Sequence, residues 1–104
     1  MAGYNQLWKI ASSFTGGGDA VSAKLPHKGI RLLLTVEQYK NNEWVLLKSE
    51  IVVADHARSE GDLEVGGSNY DPGDYKFTVE TLDNDERLKN IKTAITVYTP
   101  ASPN

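Results

Sequence analysis

Apolar and polar side chains alternate with a period of two along most of this chain. Ile30, Leu32, Leu34 and Val36 alternate with Arg31, Leu33, Thr35 and Glu37, which predicts a strand with one apolar face. Tyr75, Phe77, Val79 and Thr81 alternate with Asp74, Lys76, Thr78 and Glu80 in the same way, and Ile91, Thr93, Ile95 and Val97 form a third such run. Four further strands are expected at Gln6–Phe14, Ala20–Leu25, Glu43–Ala54 and Asp62–Val65. In Glu43–Ala54 the apolar parity changes from Trp44 and Leu46 to Ile51 and Val53. An extra residue near Lys48–Ser49 would produce that change, and so would a break into two strands.

Between these runs lie turn signals. Gly16-Gly17-Gly18 is expected to stop the first strand, and "KNNE" at Lys40–Glu43 reads as a hairpin whose asparagines accept positive φ. "HARSEGD" (His56–Asp62) and "GGSNYDPG" (Gly66–Gly73) read as loops, and "DNDERLKN" (Asp83–Asn90) has room for one helical turn. Seven short strands within 104 residues predict an all-β antiparallel sandwich, with a small β-barrel or jelly roll as the alternative. The domain is expected over residues 1–99, with "TPASPN" leaving 100–104 as a frayed tail or an attachment point.

Composition narrows the function classes. The net charge is -3 and the eleven basic residues are scattered, against the basic patch that nucleic-acid binding requires. Cysteine is absent, which excludes disulfides, thiolate nucleophiles and cysteine-held metals and suggests a reducing compartment or a bacterial or viral source. No stretch of eighteen apolar residues exists to span a membrane, and no signal peptide is visible at the N-terminus. Cytoplasm or a virion is therefore the expected location.

The Asp71–Phe77 segment, "DPGDYKF", resembles the Asp-x-Gly-x-Tyr-x-Cys signature of immunoglobulin domains, with Phe77 in place of the cysteine. Related patterns occur in fibronectin-III-like domains. The resemblance implies an immunoglobulin-like sandwich in which the Tyr75 hydroxyl ties back to backbone upstream as a tyrosine corner. It also implies a core tryptophan at Trp44 and the second disulfide position near Leu32, with an apolar pair replacing the bridge. A sandwich of this kind is used for binding or display and implies no catalysis. The layout also resembles that of accessory domains on phage particles.

Candidate chemistry is sparse. Asp55-His56 with Ser59 spells a triad on paper, but a catalytic base needs its carboxylate placed by the fold, and no nucleophile elbow surrounds the serine. His27, the second histidine, also falls in a loop. The glycine triple lacks the GK[ST] of a phosphate loop, and no cofactor motif is present. Asp83, Asp85 and Glu86 offer oxygen ligands for Ca²⁺, without the spacing of an EF-hand. Asp71 and Asp74 open a strand whose far end leads to those residues, so they belong to the opposite pole. Among the aromatics, Trp44 is assigned to the core, and Tyr39 and Tyr70, which flank turns, are the expected exposed pair. The expected function is thus a non-enzymatic binding or structural module acting on a protein partner, with homo-oligomer formation suggested by the outward-facing Leu33. The alternative is a carbohydrate- or calcium-dependent binding module.

Overall fold

A computed structural model of the protein describes residues 9–25, 27–59, 61–82 and 94–98. The expected Asp83–Asn90 turn, most of the first strand's start, the beginning of the last strand and the 100–104 tail lie outside the described residues. The architecture is all-β. Among the described residues six strands run in the order β1 (Lys9–Lys24), β2 (Ile30–Lys40), β3 (Glu43–Ala54), β4 (His56–Ser59), β5 (Asp62–Thr81) and β6 (Ile95–Tyr98). They form one antiparallel sheet in the order β3-β2-β5-β1-β6, with β4 also paired to β5.

Two expected breaks turn out to be strand interiors. The glycine triple lies inside β1, and "GGSNYDPG" lies inside β5. "HARS", expected as loop, is the short strand β4. A straight strand of β5's 20 residues would reach about 66 Å, yet the longest dimension of the molecule is 46 Å. The long strands must therefore bend. Pairing between β1 and β5 slips between Gly16 and Gly18, between Gly18 and Ala20, and between Val21 and Ser22. At each slip β5 carries one extra residue, and such bulges bend a strand and raise its twist.

The bends double the sheet over its own apolar face. Val21, Ala23, Leu63 and Val65 from one half share a buried cluster with Leu32, Leu34, Val36, Phe77 and Val79 from the other. Two glycines, Gly66 and Gly18, sit where the halves or neighbouring strands approach closely. A Cβ on Gly66 would lie 2.7 Å from a methyl of the fully buried Leu34, and one on Gly18 would lie 3.0 Å from Val97. Gly16 adopts φ 129°, which other residues resist. The glycines that signal turns in the sequence here permit a folded-over sheet.

The β2–β3 hairpin matches its sequence signal. Asn41 and Asn42 both have positive φ, 52° and 67°, in a two-residue turn between Lys40 and Glu43. The expected extra residue in β3 is Leu47: Val36 pairs with Lys48 and Glu37 with Leu46.

Candidate functional site

The facing of β3 follows from its register. Ile30, Leu32, Leu34 and Val36 point into the core, and their partners across the pair are Ala54, Val52, Glu50 and Lys48. Directly opposed residues share a face, so the core-side positions of β3 past the bulge include both of its central charges. Lys48 and Glu50 form an ion pair at 3.3 Å, and Lys48 Nζ also donates to Ser68 Oγ at 3.3 Å. Val52 and Ala54 remain on the core side, but three other apolar residues go the other way. Leu46, Ile51 and Val53 are 59%, 65% and 51% exposed, on the outer face beside Leu33. The next strand on that face, β5, is polar, presenting Lys76, Thr78 and Glu80. The apolar strip is thus confined to the β2–β3 margin of the sheet.

β3 is also an edge. Among the described residues nothing pairs with its outer side. In a two-residue hairpin the Lys40–Glu43 pair is hydrogen-bonded, and bonded and unbonded pairs alternate from there. Carried across the bulge, the alternation directs the backbone N–H and C=O groups of Trp44, Leu46, Ser49, Ile51 and Val53 outward. Two contacts fit this phase: the Gly29 N–H donates inward to the Ala54 carbonyl, and the Leu82 N–H donates to Arg31 on the opposite side of β2.

A second feature occupies the hairpin end of the same outer face. Tyr39 and Trp44 pair edge-on, with ring centroids 5.2 Å apart. One step beyond the Gln38–Tyr75 pair, Tyr39 comes level with Asp74, and Asp74 pairs with Thr15. A row of Trp44, Tyr39, Asp74 and Thr15 results. The Thr15 hydroxyl donates to Asp74 Oδ1 at 2.7 Å, and the Lys76 ammonium lies 4.5 Å over the Trp44 ring. A cavity of about 350 Å³ opens here, lined by the rings of Phe14, Tyr39, Trp44 and Tyr75 and by Ser13, Thr15 and Asp74.

Several expected site residues lie elsewhere than the sequence suggested. Trp44, assigned to the core, is 37% exposed, because its cross-strand partner Tyr39 lies on the outer face. The hairpin contains the signal that would have placed it: a two-residue turn obliges Trp44 to oppose Tyr39, out of phase with Ile30–Val36. Tyr70, expected to be exposed, is 9% exposed and packs edge-on against Phe77 at 5.3 Å and Tyr75 at 5.5 Å. An extra residue of β5 between Tyr70 and Gly73 turns both Tyr70 and Tyr75 inward. Tyr39 is exposed. Leu32 and Phe77 are both fully buried in the same cluster. Asp83, Asp85 and Glu86 lie outside the described residues. His56 and Ser59 fall on β4, in register with Glu64 and Asp62. No group of three potential metal ligands occurs among the described residues, and no helix there is long and apolar enough to cross a membrane.

The Tyr75 hydroxyl donates to the Asp71 carbonyl at 2.6 Å and accepts from Gln38 Nε2 at 3.4 Å. The bond to Asp71 closes a bend within β5 rather than a corner between two strands. Burial first, then the Asp71 carboxylate and Tyr70, push the Tyr75 phenol above its ordinary value near 10. A folded-state value above the unfolded one keeps this contribution intact below about pH 10, and it is lost as pH rises through the folded value. Tyr75→Phe is therefore expected to cost about 1 kcal/mol at neutral pH and to flatten the alkaline decline. Urea midpoints taken from neutral to strongly alkaline pH would test this, and parallel declines in the two proteins would count against it.

No protein-family model and no curated protein matches the sequence. Among solved structures, the crystal structure of a protein from Sulfurospirillum deleyianum is similar in fold, with a TM-score of 0.75 over 90% of this chain and 91% of that one. At 8% identity that likeness speaks to the fold alone.

Proposed function

We propose that the protein is a non-enzymatic binding or structural module that acts through protein–protein contacts, and that β3 is its contact strand. The single observation that carries this reading is the inversion of β3: its charges face the core side, while Leu46, Ile51 and Val53 face solvent on an edge strand. A long apolar edge is a template for strand addition, and monomeric proteins blunt such edges with charge, proline or a covering segment. The outward backbone groups of β3 coincide with its apolar outer positions, so one partner strand would satisfy both.

The partner we assign is a second copy of this chain. An antiparallel pair about a twofold axis is self-complementary and closed. With the axis at Ile51, Ile51 meets its own copy and Ser49 meets Val53, all with outward N–H and C=O groups. An axis at Glu50 would oppose like charges, which is unfavourable, and one at Ser49 would run the pairing into the Leu47 bulge. The doubled-over sheet is, in this reading, a variant of the immunoglobulin-like sandwich, supported by the Tyr75–Asp71 bond and by Phe77 within the core. Sedimentation velocity from micromolar to sub-millimolar concentration is expected to show a reversible dimer, and a monomer throughout would overturn the assignment.

A further inference from the structure

We infer that the cavity at the hairpin end of the outer face is a binding site for a neutral saccharide. Its lining combines two kinds of surface. Tyr39 and Trp44 supply partly exposed aromatic rings, and Ser13, Thr15 and Asp74 supply hydroxyl and carboxylate groups beside them. A pyranose ring carries the matching pair of surfaces, with C–H groups on its faces and hydroxyls around its rim. The rings offer flat apolar area at little entropic cost, and the polar groups fix orientation. At about 350 Å³ the cavity accommodates one or two sugar rings.

The polar groups are arranged for hydroxyl ligands. One carboxylate oxygen of Asp74 already accepts from Thr15, which orients the carboxylate and leaves its second oxygen as an acceptor. Ser13 can both donate and accept, as a sugar hydroxyl does. Among the described residues no cationic side chain lines the cavity, and the one charge they place there is a carboxylate, so phosphate, sulfate and uronic acids are disfavoured. A cation is the competing ligand, since aromatic rings with a carboxylate also attract ammonium groups. That role on Trp44 is already taken by Lys76, which lies over the indole and outside the cavity wall. Lys76 braces the ring, and the cavity keeps its hydroxyl-binding rim.

The site and the proposed strand pairing are spatially separate. Trp44 stands seven residues from Ile51 along β3, about 23 Å in an extended strand, so a dimer about Ile51 leaves the cavity open. The test is titration of the ¹⁵N-labelled full chain with a panel of neutral hexose and pentose oligosaccharides, followed at the Trp44 indole N–H. Saturable shifts are expected with at least one member, at millimolar or tighter affinity. Tyr39→Ala and Asp74→Ala are each expected to weaken that binding at least tenfold without changing the thermal midpoint by more than a few degrees. Absence of shifts with every saccharide would overturn the inference. So would equal binding by both variants, or tighter binding of tetramethylammonium at the same indole.

Discussion

Phe77→Ala is expected to lower the unfolding free energy by about 3–5 kcal/mol, a large part of the roughly 5–15 kcal/mol that holds a domain of this size. Phe77 is fully buried and sits among rings: Tyr70 edge-on at 5.3 Å, Tyr75 at 6.1 Å and Phe14 at 6.2 Å. These neighbours come from both long strands, and Tyr70 and Phe77 lie on either side of the bend in β5. Truncation opens a cavity where the two halves of the sheet meet, and a backbone fixed by long antiparallel pairing closes little of it. The thermal midpoint should fall on the order of 20 °C. Tyr39→Ala, on the outer face, should change stability by less than about 1 kcal/mol. Urea unfolding of both variants measures the contrast, and a Phe77→Ala loss no larger than that of Tyr39→Ala would refute the doubled-over core.

The second large effect concerns association. Ile51→Lys combined with Val53→Lys places two ammonium groups at the centre of the proposed pairing. The one at position 51 would face its own twofold mate, and the one at position 53 would replace an apolar contact opposite Ser49 with a second like charge nearby. Both positions are more than half exposed in the single chain, so the fold should tolerate the change within about 1 kcal/mol. The dimer should be lost entirely across the concentration range in which the unaltered protein associates. Lys76→Ala, on the same face but away from the edge, should leave association unchanged. Dimerisation of the double variant equal to that of the parent would show that β3 is not the contact strand.

Much of the fold was legible because alternation is a local signal. Strand β2, the second half of β5, the Asn41-Asn42 hairpin and the extra residue in β3 can each be read from residues within a dozen positions of one another. The bends were not legible. A glycine run in a sequence signals a turn, and only tertiary structure decides that Gly66 is there to admit Leu34 and Gly18 to admit Val97. With those breaks misplaced, two long strands read as four short ones, and Tyr70 reads as a surface residue. The inverted facing of β3 was within reach, since the parity change near Leu47 and the two-residue turn together direct Trp44, Leu46, Ile51 and Val53 outward. The general preference of tryptophan for cores points the opposite way. The cavity could not be anticipated, because Thr15 and Asp74 meet only through the pairing of β1 with β5, 59 residues apart in sequence.

The absence of cysteine makes one measurement especially clean. Single cysteines placed at Ser13, Ser49, Ile51 and Val53 can each be oxidised and scored for covalent dimer. Paired about a twofold axis at Ile51, the two copies of that residue lie about 5.5 Å apart, within disulfide reach. The two copies of residue 49, and of residue 53, are then about 14 Å apart. The account predicts rapid cross-linking of Ile51→Cys, slow cross-linking of Ser49→Cys and Val53→Cys, and none above background for Ser13→Cys. Cross-linking of Ile51→Cys no faster than that of Ser13→Cys would contradict it.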